Sequence, residues 1–172
     1  MFKYALIFLV LLFFSIKSAF PTSINKIFIK GNQRIDSSTI LSYLNIKKNK
    51  AISEEDLNAV FKDLFATELF SDISFDFKDN FLFIEVVENP IINRIALEGN
   101  KRIDDDDILS EIFLNPRDIF TLNKVKNSLQ TILGIYRGNG RYAAIVEPKV
   151  IYLEQNRVDL IFEIEEGPLS KI

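Results

Sequence analysis

The chain contains no cysteine and no histidine among its 172 residues. Without cysteine there is no disulfide framework, even in an oxidising compartment. Without either residue, Ser–His and Cys–His nucleophilic arrangements are excluded, and so are the usual His/Cys zinc sites. Glycine is scarce at six residues, and Gly134, Gly138 and Gly140 have neither the spacing nor the following Gly-Lys-Ser/Thr of a phosphate loop. Positive charge is also thin, with 21 Lys+Arg against 24 Asp+Glu and a net charge of −3. Its only basic knot is Lys47, Lys48 and Lys50, which reads as a solvated loop. Phosphate neutralisation dominates nucleic-acid affinity, so nucleic acid is not an expected partner.

The first twenty residues read as a signal peptide. Lys3 supplies a positive start, and Ala5 to Phe14 is an unbroken apolar run, extended by Ile16. That layout marks export, and the run is short of the ~20 residues of a spanning helix. Cleavage after Ala19 would put Lys17 where a small residue is expected, which leaves an uncleaved interfacial anchor as the alternative. Loss of Lys3 and Lys17 moves the formal charge from −3 to −5.

Beyond that segment the chain repeats itself. Residues 24–35 read INKIFIKGNQRI and residues 92–103 read INRIALEGNKRI, an offset of 68. Comparing 24–44 with 92–112, 11 of 21 positions are identical. Self-similarity at a fixed offset marks a repeated structural unit. The boundaries expected are 21–90 and 91–168, each near the lower size at which a core is self-sufficient. Residues 169–172 then read as the start of a third unit, truncated.

Each unit reads strand, helix, helix, strand, strand, an α+β class. Ile27 and Ile29 share one face of a short strand, and Gly31-Asn32 breaks it, both residues tolerating a left-handed backbone. Asp36 to Ser38 cap a helix striped by Ile40, Leu41 and Leu44. Ser53 opens a second, with Leu57, Val60, Phe61, Leu64 and Phe65 as its buried face. Ile73, Phe75 and Phe77 then alternate with Asp72, Ser74 and Asp76, and Lys78-Asp79-Asn80 turns the chain into Phe81–Val87. A strand apolar on both faces is central, whereas an alternating one suits an edge. The second unit repeats this with Ile95 and Leu97, then Ile108, Leu109, Ile112 and Phe113. Thr121 caps a helix carrying Leu122, Val125, Leu129, Ile132, Leu133 and Tyr136, which ends at Gly138-Asn139-Gly140. Strands over Ala143–Leu153 and from Val158 to Glu165 follow, and Pro148 confines the former to an edge or a bulge.

The acidic run Asp104–Asp107 is the one candidate for an acid–base pair or a calcium site. It opens a predicted helix, where capping and the helix dipole favour carboxylates. Its counterpart Asp36-Ser37-Ser38-Thr39 forms caps but would hold a cation less well. The reading is therefore capping, with no catalytic, cofactor-binding or metal-ligating residue. Phe28, Phe81 and Phe83 are set apart from the other phenylalanines, because the period places them on the sheet face away from the helices. That face suits either a contact between modules or a client surface.

The strings ENPIINRIALEGNKRI (88–103), YRGNGRYAAIVEPKV (136–150) and QNRVDLIFEIEEGP (155–168) resemble the polypeptide-transport-associated (POTRA) domains of Gram-negative outer-membrane assembly proteins. The resemblance covers residues 24–172 and implies tandem βααββ modules, each a three-stranded mixed sheet with two helices on one face. It implies a non-enzymatic periplasmic scaffold that receives unfolded outer-membrane proteins. Its other partners would be periplasmic chaperones and accessory lipoproteins, and it would reach the membrane through a barrel this chain lacks. The expected client-binding edge is Ser71, Asp72, Ile73, Ser74, Phe75, Asp76 and Phe77, which offers unpaired backbone to an extended peptide. The alternatives are the periplasmic part of a two-partner secretion transporter and a small exported carboxylate-dependent hydrolase.

Overall fold

The computed structural model describes residues 24–44 and 53–170. Residues 1–20, where a signal peptide is expected, the Lys47–Lys50 knot, and Lys171 and Ile172 lie outside the described residues. The first module runs β1 (Lys26–Lys30), α1 (Ser37–Tyr43), α2 (Glu54–Ala66), β2 (Phe70–Lys78) and β3 (Phe81–Glu88). The second runs β4 (Ile91–Glu98), α3 (Asp105–Glu111), α4 (Leu122–Gly138), β5 (Ile145–Leu153) and β6 (Arg157–Glu165).

Connection length dictates the pairing. Asp79 and Asn80, at φ 50° and 65°, make the two-residue turn that joins β2 to β3 as an antiparallel hairpin. The path from β1 back to the sheet carries both helices, long enough for a parallel crossover. The resulting order is β1–β3–β2, with β1 parallel and β2 antiparallel to the central β3. The second sheet repeats it as β4–β6–β5, with Pro148 on the outer strand β5. These are the two mixed three-stranded sheets that the resemblance implies.

One face of each sheet carries the core. In the first module Ile40, Leu44, Val60 and Leu64 of the helical layer pack with Ile73, Leu82, Ile84 and Val86 of the sheet. In the second, Ile108, Val125, Ile132 and Tyr136 cover Ile92, Leu160, Phe162 and Ile164. Ser53 and Asp56 form a reciprocal capping box at the start of α2, and Thr121 accepts the Lys124 N–H at the start of α4.

Several expectations from periodicity are corrected. α3 stops at Glu111, so Ile112 turns inward in extended backbone while Phe113 is 91% exposed. Leu122 lies at the first position of α4, before the stripe meets the sheet, and is 77% exposed. Leu41, Phe61 and Phe65 are also exposed, since the short sheet covers only part of each apolar arc. β4 begins at Ile91 rather than near Ile95, drawn forward by the fully buried Ile92 and by a bridge from Ile91 to Ile119. Asp36 and Asp104 hold the cap positions without any side-chain capping bond.

Asn32 is corrected too. Gly31 adopts φ +86°, but Asn32 does not share the left-handed backbone. Its amide instead donates to the Ile35 carbonyl at 2.8 Å and to Ser37 Oγ at 3.4 Å, tying the turn to α1. Asn100 does the same with the Ile103 carbonyl (3.0 Å) and Asp105 Oδ1 (2.6 Å). The paired glycines have a separate reason: a Cβ on Gly31 would lie 2.0 Å from the Val86 carbonyl oxygen, and one on Gly99 would lie 2.1 Å from that of Ile164. Both contacts are with backbone and cannot yield. Gly99→Ala is expected to destabilise the chain by at least about 2 kcal/mol, read from urea unfolding. A loss no larger than an exposed Gly→Ala change elsewhere would remove the close approach as the reason for this glycine.

Candidate functional site

Among the described residues the strand β2 pairs on one side only, with β3. Along it Ile73 is buried, Phe75 and Phe77 are half-buried, and Ser71, Asp72, Ser74 and Asp76 are exposed. The anticipated edge residues thus lie together on an outer strand. A bulge interrupts the register between Phe70 and Asp72, at the end nearest the second module. One backbone donor on this strand is partly occupied, since the Ile73 N–H donates to Asp72 Oδ1 at 3.0 Å. Charged side chains are a usual protection for a strand edge, and Asp72 acts here through a direct bond. The corresponding strand β5 carries Pro148, which offers no N–H.

Phe28, Phe81 and Phe83 meet on the opposite face of the first sheet from the helices. Phe28 stacks on Phe83 at 5.1 Å and meets Phe81 edge-on at 5.8 Å, and Lys26 Nζ sits 4.9 Å above the Phe28 ring. The register places Asp76 of β2 beside Phe83, so this patch adjoins the edge strand on a single sheet. The second sheet has no such cluster: Ala96 and Ile161 take the paired positions of Phe28 and Phe83. There Arg94 contacts Asp159 at 2.7 Å and Lys149 pairs with Glu163. The Asn93 amide bond, helped by Arg94 and opposed by burial, holds the Asp159 carboxyl below its ordinary value.

The modules join through Asn89-Pro90, with both modules bonded to the linker. Asn89 N–H donates to the Leu69 carbonyl (2.8 Å) and its amide to that of Glu68 (2.8 Å). From the second module, Asn156 Nδ2 donates to the Glu88 carbonyl (2.9 Å), and Phe120 N–H to that of Pro90 (2.9 Å). Lys124 of α4 reaches Glu68 at 2.6 Å, a half-exposed pair worth about 1 kcal/mol or less.

Two consecutive stretches, residues 22–89 and 90–167, match the POTRA family, described as "surface antigen variable number repeat". The chain belongs to the POTRA family. It is 27% identical over 159 residues to the outer membrane protein assembly factor BamA of Neorickettsia risticii (strain Illinois), covering 92% of this chain and 22% of that protein. It is 30% identical over 153 residues to BamA of Neisseria meningitidis serogroup B, covering 87% and 19%. The chain thus spans about a fifth of the length of these relatives. Among solved structures it is similar to the N-terminal domain of Omp85 from Thermosynechococcus elongatus (TM-score 0.59, 15% identity, 84% of this chain and 63% of that one). A second is the POTRA1-2 region of Omp85 from Anabaena (TM-score 0.52, 14% identity, 86% and 97%). These two likenesses concern the fold.

The residues that build the POTRA junction include one that the sequence reading passed over. Glu88 Oε1 accepts the N–H groups of Gln33 (2.6 Å), Arg34 (3.0 Å) and Ile35 (3.0 Å), and Arg34 Nε lies 3.2 Å from Oε2. The turn that ends INKIFIKGNQRI is thus a nest of three backbone donors, Gln33 to Ile35, closed by a carboxylate 53 to 55 residues away. Glu166 repeats part of the contact in the second module, accepting one turn N–H, that of Arg102, at 2.7 Å and the Tyr136 hydroxyl at 3.4 Å. Burial and the Glu166 carboxylate push the Tyr136 hydroxyl up to about 12. The signal was present in the sequence: Glu88 and Glu166 each stand two residues before the module-closing Pro90 and Pro168.

Burial alone would raise the Glu88 carboxyl; the Ile35, Gln33 and Arg34 N–H donors and the Arg34 charge outweigh it and hold the group below its ordinary 4.5. A depressed carboxyl stabilises the fold above its unfolded value, and that contribution is lost as pH falls through the lower folded value. Glu88→Gln is therefore expected to cost about 1–3 kcal/mol at pH 7 and to flatten the loss of stability on acidification below about pH 4.5. Parallel acid titrations of wild type and variant by circular dichroism check this; identical slopes would mean the nest does not favour the carboxylate.

Proposed function

We propose that the chain is a receiving arm of the outer-membrane protein assembly machinery, a binding scaffold on the periplasmic side rather than an enzyme. Its partners on this reading are unfolded outer-membrane proteins, the chaperones that deliver them and the accessory lipoproteins of the assembly complex. Membrane attachment belongs to a barrel in the longer protein. Membership of the POTRA family and similarity to proteins called outer membrane protein assembly factors support the assignment.

The mechanism proposed is β-augmentation on β2, and the observation that carries it is that, among the described residues, this strand pairs only with β3. An extended segment laid alongside Ser71–Asp76 gains main-chain hydrogen bonds that are nearly indifferent to its sequence. Such indifference suits a receiver of many β-rich chains. The module's core lies on the helix side of the sheet, so capture at the edge leaves the fold undisturbed. Phe28, Phe81 and Phe83 extend the same sheet as an apolar platform beside the bound strand.

Two substitutions test this. Phe75→Pro removes one backbone donor and is expected to weaken an extended alternating peptide at least about tenfold, read by fluorescence anisotropy, with the melting curve confirming the fold. Unchanged affinity in a folded variant excludes this edge. Asp72→Ala frees the Ile73 N–H and is expected to tighten binding about threefold. Weaker binding in that variant would mean Asp72 contacts the peptide instead of competing with it.

A further inference from the structure

At the bulged end of β2 the sheet edge opens into a cleft between the modules. Its volume is about 740 Å³, within the ~300–1,000 Å³ range of sites that enclose a ligand group. Phe65, Ser71 and Val87 wall it from the first module, and Leu122, Tyr152 and Asn156 from the second. Phe70 and Phe120 form its buried floor, and four large apolar side chains around them are uncovered: Phe65 is 45% exposed, Val87 51%, Leu122 77% and Tyr152 73%. Phe65 is held in place by stacking on Phe61 at 5.4 Å.

The charges at this cleft are already committed. Glu68 is bound to Lys124 across its rim, and Glu88 is bound into the turn of residues 33–35. The amide of Asn156 is taken by the Glu88 carbonyl and the Ser71 hydroxyl by that of Val87. A charged occupant would therefore lose its hydration without gaining a counter-charge, whereas an apolar one releases water from four exposed walls. Ser71 belongs both to the cleft and to the unshared strand, so the two surfaces are continuous.

We infer that the cleft receives an uncharged aromatic or large aliphatic side chain at one end of the extended chain paired with β2. The inference rests on β2 pairing as the proposed function has it, and adds what that pairing lacks, a preference for one kind of residue. Backbone pairing supplies affinity for any extended segment. The cleft then places the segment along the strand by accepting an apolar residue beyond the Ser71 end. Both modules must be present, since each contributes one wall.

The test uses the two-module chain and three synthetic ten-residue peptides of alternating Thr and Val. One carries Phe at its N-terminal end, one Phe at its C-terminal end, and one Ala at both. One of the Phe peptides is expected to bind about tenfold more tightly than the Ala peptide, and the favoured end reports strand direction. The double substitution Leu122→Ser with Tyr152→Ser, at exposed positions, is expected to erase that preference and leave the Ala peptide's affinity unchanged. Val87→Ser on the opposite wall is expected to reduce it in the same way. Equal binding of all three peptides, still abolished by Phe75→Pro, overturns the cleft and leaves the edge standing. A preference that survives the cleft substitutions overturns it as well. Absence of binding by any peptide overturns the edge and, with it, the cleft.

Discussion

A single carboxylate organises the junction on which the rest of the arrangement depends. Glu88 is the last residue of β3, and its side chain is bound to three amides of the turn that links β1 to α1. The contact closes the first module on itself. One residue later the chain enters the linker, whose groups are bonded from both sides. Phe65 and Val87 share a cleft with Leu122 and Tyr152 beside that tie. The charge is held in a low-dielectric setting by several short donors, where such bonds are stronger than in water.

The two modules share this frame and differ in what they show to solvent. Their glycines, asparagines and terminal glutamates make matching contacts, because each meets the same backbone geometry. Away from that frame the positions diverge. The outer sheet face holds an aromatic cluster in the first module and the Arg94–Asp159 and Lys149–Glu163 pairs in the second. An open strand edge free of proline occurs in the first, and a proline-bearing one in the second. Duplication preserved what the fold requires and left the exposed faces to specialise. The proposed binding surfaces accordingly lie on the first module and at its boundary with the second.

Burial, not hydrophobicity alone, separates core residues from working ones. Ile40 and Leu41 are neighbours of similar character, yet one is fully buried and the other exposed. Phe61 and Phe65 follow the helical period into the core and remain partly uncovered, because three strands are narrower than the arc two helices present. These residues border the cleft or stack on residues that do. Apolar surface that a small sheet cannot cover becomes available to a partner.

By itself the sequence determined the duplication, the order of elements, the central place of Phe81–Val87 and the outer place of Ile73–Phe77. Each depends on local periodicity, turn chemistry or the apolar character of a strand, which short windows record. Only the tertiary structure decided that Glu88 closes the turn at Gln33–Ile35, that Asp72 occupies the Ile73 amide, and that Phe113 points to solvent. It alone brought Val87 and Tyr152 to one cleft. Those outcomes depend on which surfaces meet across tens of residues and where a layer runs out of width, and neither quantity leaves a period in the chain.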